Sequence, residues 1–142
     1  MPNEIFRYQH RVSYAECTLG NHVYYARYLD LLEMARGEFF RSLGIPLLGL
    51  QQQGIAFPVI ECHLFYKSPA RYDDLLNIEV ALAELGRARL RFNYRIINQS
   101  EKLVLEGGTL HVCASVEEKI RRLPEELRKK LSVVARSVLS AA

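Results

Sequence analysis

Residues 13–44 read SYAECTLGNHVYYARYLDLLEMARGEFFRSLG, and how this stretch folds decides the architecture. A strand ends near Tyr14, a polar loop carries Glu16, Cys17, Thr18, Asn21 and His22, and a long helix follows. Gly20 permits a tight turn, and Asn21 suits an N-cap whose side chain satisfies a free backbone N–H. From about Tyr24 apolar side chains recur at helical spacing, at Tyr25, Tyr28, Leu29, Leu32, Phe39, Phe40 and Leu43. Gly44 and Pro46 then predict a stop, with glycine in a left-handed position and proline just beyond. A helix start presents unpaired N–H groups and partial positive charge. Polar side chains gathered there suit polarising a carbonyl and holding an oxyanion, although a plain capping loop has the same look.

On either side of this stretch the pattern changes from helical to alternating. Ile5 to Tyr14 reads as a half-buried strand, with Phe6, Tyr8, Val12 and Tyr14 on one side. Pro46 to Gln53 reads as a short helical turn or loop. Gly54 opens the extended run 55–67, where Pro58 argues for an edge position or a bulge. After the connection 68–74, Leu75 to Glu84 sets Leu76, Ile78, Val80 and Leu82 on one face. Gly86 turns the chain into Arg87 to Ile97, where Leu90, Phe92, Tyr94 and Ile96 oppose Arg87, Arg89, Arg91, Asn93 and Arg95. Leu103 to Val116 is the last strand, with a bulge expected at Gly107–Gly108. Pro124 starts a C-terminal helix with Glu125 and Glu126 early, basic residues later, and a stripe of Leu127, Leu131, Val134 and Val138. Successive strands on short turns pair antiparallel, which gives an α+β sheet curved around one long helix. The run Pro58 to Tyr66 offers an edge to a second copy, and a homodimer is expected.

The chain has 142 residues, 49% of them hydrophobic, which suits one domain over residues 1–142. No run approaches the ~18 apolar residues of a membrane span, and the N-terminus lacks an apolar leader, so a cytoplasmic protein without a membrane partner is expected. A net charge of +3 does not call for nucleic acid. Cys17, Cys62 and Cys113 form no disulfide or zinc spacing; Cys62 and Cys113 read as small buried hydrophobes. Cys17 lies in the loop, where no base is evident to make it a nucleophile. His63 and His111, near Glu61, lack the spacing of a metal site. Glu33 and Arg36 lie three apart on the helix and read either as a pair, or as residues of which Glu33 faces a neighbouring subunit.

The segments Tyr14–Ala15–Glu16–Cys17–Thr18, His22 to Leu29, Leu32 to Arg36, Pro69 to Asp74 and Arg121 to Pro124, taken in order, resemble the 4-hydroxybenzoyl-CoA thioesterase family of hotdog-fold proteins. The likeness covers almost the whole chain. It implies a hotdog fold: an antiparallel five-stranded sheet wrapped around the long helix, plus the C-terminal helix. It also implies homodimers, often paired into homotetramers, with sites at the subunit interface. In that family a backbone N–H at the helix start, here Tyr25, polarises the thioester carbonyl. A loop aspartate acts as nucleophile or base. In this chain that aspartate is replaced by Thr18, and a glycine before the helix by Asn21. A threonine hydroxyl cannot serve as a base near neutrality, so the family's usual route is not available as it stands.

Glu16 is then either a substitute acid or a solvated loop residue. His22 is a base, an oxyanion donor, or a histidine tied to the helix start. Arg87, Arg89 and Arg91 share a strand face that could hold coenzyme A phosphates, or they are simply solvated. Tyr24 and Tyr28, with Phe57 and Phe65, would line an acyl tunnel or belong to the core. The expectation is an acyl-CoA or acyl-carrier-protein thioesterase with Thr18, Asn21, His22, Tyr25 and Glu16 as site residues. It needs no cofactor, coenzyme A arriving as part of the substrate. A non-catalytic acyl-thioester binding protein is the alternative, and a hotdog hydratase ranks below both.

Overall fold

The computed structural model describes residues 5–139. Its elements are β1 (Phe6–Arg11), α1 (Arg27–Ser42), α2 (Leu47–Gln52), β2 (Val59–Tyr66), β3 (Leu75–Leu85), β4 (Arg89–Ile97), β5 (Leu103–Val112) and α3 (Glu125–Ser132). The strands form one five-stranded sheet in the order β1-β3-β4-β5-β2, with every neighbouring pair antiparallel. Helix α1 packs on the buried face of this sheet, which is the hotdog arrangement.

Alternation in β3 and β4 explains the face they share. Leu76, Ile78, Val80 and Leu82 and, across the ladder, Leu90, Phe92, Tyr94 and Ile96 are all buried under the helix. Leu105, Thr109 and His111 of β5 continue that face, since they pair with Ile96, Phe92 and Leu90. The helix meets it with Tyr28, Leu31, Leu32, Ala35, Phe39 and Phe40. At about 25 cal/mol per Å² of apolar surface, these fully buried side chains are the main source of stability. The buried stripe runs slightly differently from the one read in the sequence. Tyr25 (63% exposed) and Leu29 (45%) face outward, while Leu31 and Ala35 face in.

Several expectations need correction. Strand β1 stops at Arg11, and residues 14–16 form a 3₁₀ turn that leaves Tyr14 81% exposed, edge-on to Tyr72. Helix α1 begins at Arg27 rather than Tyr24, and its N-cap residue is Ala26. Asn21 therefore caps nothing. It is the residue of the loop that takes the left-handed conformation, at φ 59, and the neighbouring Gly20 does not. Asparagine is among the few residues that tolerate this conformation, which is why it can stand where glycine is otherwise needed. Gly44, at φ 73, ends α1 as expected.

Strand β2 is an edge strand with a register shift between Val59 and Glu61, just after Pro58. No bulge occurs at Gly107–Gly108; both residues pair in register with β2 and β4. The need for glycine there is steric. A Cβ on Gly107 would overlap the His63 carbonyl oxygen, and one on Gly108 would lie 3.0 Å from Phe92 O. Strand β5 ends at Val112, and the chain then makes short bridges from Ala114 to Ala56 and to Ile120. Cys62 is exposed, whereas Cys113 is buried. Helix α3 buries Leu127 and Leu131, and the tail beyond it binds the end of β3 through Arg136 N–H to Leu82 O at 2.9 Å. Val138 bridges Leu85 there but stays half exposed instead of packing in.

Candidate active site

The loop before α1 is held by its own hydrogen bonds. Thr18 donates to the His22 carbonyl twice, from its backbone N–H at 2.8 Å and from its hydroxyl at 3.2 Å. Asn21 N–H donates to Thr18 O, and Cys17 and Val23 bridge across the base of the loop. Asn21 Oδ1 accepts from Tyr72 N–H at 3.0 Å, which fastens the loop to the connection between β2 and β3. Thr18, Asn21 and His22 thus form one exposed cluster, packed into a single turn.

Tyr25 follows immediately. Neither its N–H nor that of Ala26 meets an acceptor among the described residues, and Tyr25 lies at the surface. Its carbonyl accepts from the Tyr66 hydroxyl at 3.0 Å, which fixes the first turn of the helix to the end of β2. The rings touch in the order Tyr24, Tyr25, Tyr66 and Tyr28, with centroids 4.9 to 6.5 Å apart. The free donors therefore sit on a rigid aromatic base at the positive end of α1. Tyr28 belongs to the core: its hydroxyl accepts from Ala70 N–H, and burial raises its pKa. Tyr24 is half exposed beside Tyr25.

Glu16 points away from this cluster. Its carboxylate accepts from His10 Nε2 at 2.9 Å and from Ser13 N–H at 2.8 Å. Burial pushes its pKa up, but the bonds from His10 and Ser13, with the His10 charge, outweigh burial and leave it lowered. Cys17 is a thiol whose pKa is raised, by burial first and then by the Glu16 and Asp74 charges. That environment is the reverse of one that activates a nucleophile.

Arg87, Arg89 and Arg91 are not beside Tyr25 in the same chain. Arg89 pairs with Val112 while Tyr66 pairs with Leu105, so roughly 23 Å of sheet separates the two ends. Arg87 and Arg89 are exposed, and Arg91 is paired with Glu84 at 3.1 Å.

A larger cavity of about 640 Å³ lies at that far end, between α1 and the sheet, lined among others by Glu33, Arg36, Phe40, Phe57, Phe92 and His111. Arg36 does not pair with Glu33; it donates to Tyr94 Oη at 3.1 Å. Tyr94 and Thr109 hydroxyls are 2.6 Å apart, His111 Nε2 is 2.8 Å from Thr109 Oγ1, and His111 Nδ1 is 3.0 Å from Phe57 O. Arginine can only donate and a carbonyl can only accept, so with a neutral His111 the chain runs one way, from Arg36 through Tyr94, Thr109 and His111 to Phe57. His111 is held neutral: burial first, and then the Arg36 charge, lower its pKa to about 4 against the opposing bond to Phe57. Burial raises the Tyr94 pKa, so the phenol keeps its proton. Sequence reading missed this network because its members come from α1, β4 and β5. The one available signal was a line of polar residues, Thr109 and His111, on the apolar face of β5.

Residues 12–131 match the thioesterase-like superfamily. The chain belongs to that family. The acyl-CoA thioester hydrolase YbgC of Escherichia coli is 33% identical over 128 residues, covering 89% of this chain and 96% of that protein. The 1,4-dihydroxy-2-naphthoyl-CoA hydrolase of Synechococcus elongatus is 26% identical over 92% of this chain and 97% of its own length. Among solved structures, a hypothetical protein from Thermus thermophilus superposes with a TM-score of 0.86 at 34% identity, covering 90% of this chain and 98% of that one. In this member of the thioesterase-like superfamily, the loop and helix start described above lie within the matched residues.

Proposed function

We propose that the protein hydrolyses acyl-CoA thioesters to a carboxylic acid and the free thiol. The observation that carries this reading is the unoccupied N–H pair of Tyr25 and Ala26 at the exposed start of α1. A thioester oxygen placed there would be polarised in the ground state and held more tightly as the tetrahedral oxyanion forms. Water would approach from the side of Thr18, Asn21 and His22. Of these, only the imidazole of His22 is a side chain of the type that acts as a general base. Thr18 and Asn21 would orient the water. The thioester-hydrolase activities for which YbgC and the Synechococcus elongatus protein are named support the same chemistry. A closer affiliation with 4-hydroxybenzoyl-CoA thioesterases, and acceptance of acyl-carrier-protein esters, are further parts of the proposal.

The working unit in this reading is a dimer. Strand β2 has an open edge and presents Val59, Ile60, Phe65 and Tyr66 to solvent. A two-fold pairing of β2 with its copy would set the Val59 end of one chain beside the Tyr66 end of the other. That brings one chain's arginines and large cavity toward its partner's Tyr25, the two ends that lie far apart within one chain. The arginines would meet coenzyme A phosphates, and the cavity would take the acyl group. The test is thiol release from a panel of acyl-CoA and acyl-carrier-protein esters by wild type and by His22→Ala, Thr18→Ala and Glu16→Ala. His22→Ala is expected to cut kcat by about 100-fold or more, and Glu16→Ala to act on stability alone. Intact substrate that binds without turnover would instead support a binding protein.

A further inference from the structure

The cavity beneath α1 has one feature that a purely apolar acyl chain would not use. Within the network each hydroxyl and imidazole proton is already spent: Tyr94 donates to Thr109, Thr109 to His111, and His111 to Phe57 O. Arg36 is different. It is partly buried, lines the cavity, and uses a single N–H on Tyr94 Oη, with no carboxylate partner among the described residues. None of its nitrogens is sealed from solvent without a partner, so the donors it does not spend on Tyr94 are open to a ligand acceptor in the cavity. Glu33, three residues earlier, also lines the cavity, but it is exposed and its charge is screened by solvent. The walls between are apolar and aromatic, with Phe40 stacked on Phe57 and Phe92 edge-on to His111.

We infer that Arg36 is a specificity residue that binds a carboxylate at the far end of the acyl group, so the preferred substrates are coenzyme A esters of dicarboxylic acids. The aromatic walls take the methylene chain, and the planar guanidinium takes two carboxylate oxygens in a forked pair. The Tyr94 bond holds the fork in place, and the one-way chain behind it anchors Tyr94. This rests on the reading of the protein as a thioester hydrolase whose acyl group enters the cavity, from the partner's helix start in the paired arrangement.

The experiment compares kcat/KM for matched esters, adipyl against hexanoyl, sebacyl against decanoyl and dodecanedioyl against dodecanoyl, in wild type, Arg36→Met, Arg36→Gln and Arg36→Lys. Wild type is expected to prefer the dicarboxylic member of at least one pair. That preference should fall about 10- to 100-fold in Arg36→Met and Arg36→Gln, the loss of a hydrogen bond to a charged group, and Arg36→Lys should restore part of it. A preference that is absent in wild type, or equal in wild type and Arg36→Gln, would overturn the assignment. Hydrolysis of no ester by wild type would defeat the enzymatic reading alone. Calorimetry with free sebacate and decanoate would then decide on the pocket: Arg36-dependent preference for sebacate upholds it, and no preference removes it.

Discussion

His111 is buried and neutral between Phe57 O and Thr109 Oγ1, with its pKa lowered from 6.5 to about 4. An unfolded chain binds a proton at this position below pH 6.5, and the folded chain does not until about pH 4. The His111 contribution is therefore fully present above 6.5 and is lost as the pH falls toward 4, by about 3 kcal/mol at most. Urea unfolding across this range should show wild type losing stability with falling pH, and His111→Gln should lose the part of that slope lying above pH 4. Thr109→Val removes the middle of the network and should cost about 1–3 kcal/mol, while Thr109→Ser should be much milder. At the loop, Thr18→Asp puts a carboxylate into the exposed cluster with Asn21 and His22. If water activation limits the reaction, its kcat should rise about 10-fold or more above wild type. Asn21 shows what one residue hides from a sequence reader: asparagine suits both an N-cap and a left-handed turn, and only the position of Tyr72 N–H distinguishes them.

Strands β3 and β4 were readable because one face of each is buried and the other wet, which forces period-two alternation onto the sequence. Strand β2 has both faces exposed in the chain, and its boundary came from Gly54 and Pro58 rather than from pattern. The start of α1 was placed early because Tyr24 and Tyr25 continue the helical spacing while lying outside the helix, where Tyr25 packs on Tyr66 instead. Gly107 and Gly108 looked like a bulge for a similar reason. Close backbone approach and a bulge both demand glycine, and the sequence does not say which. Steric contact makes a direct prediction at this level. Gly107→Ala pushes a methyl into the His63 carbonyl and must part β5 from β2, costing about 3 kcal/mol in denaturant unfolding.

The molecule as a whole divides its chemistry between two ends of one sheet. Free N–H groups and the polar loop lie at the Tyr66 end; the arginines and the large cavity lie at the other. The loop cluster was legible because its members are neighbours in sequence. The Arg36 network was not, since 75 residues separate its first and last side chains along the chain, Arg36 and His111. If pairing through β2 joins the two ends, replacing Ile60 and Phe65 together by lysine should shift the protein to a monomer in sedimentation velocity and abolish turnover with it. The account stands most squarely on the amide hydrogen at the head of α1. The direct measurement is the rate of thiol release from acyl-CoA by wild type and Tyr25→Pro, with circular dichroism to show that the variant folds. A rate well above buffer for wild type, falling about 100- to 1,000-fold when that single N–H is removed, is the predicted result. A folded Tyr25→Pro protein that hydrolyses acyl-CoA as fast as wild type would contradict it.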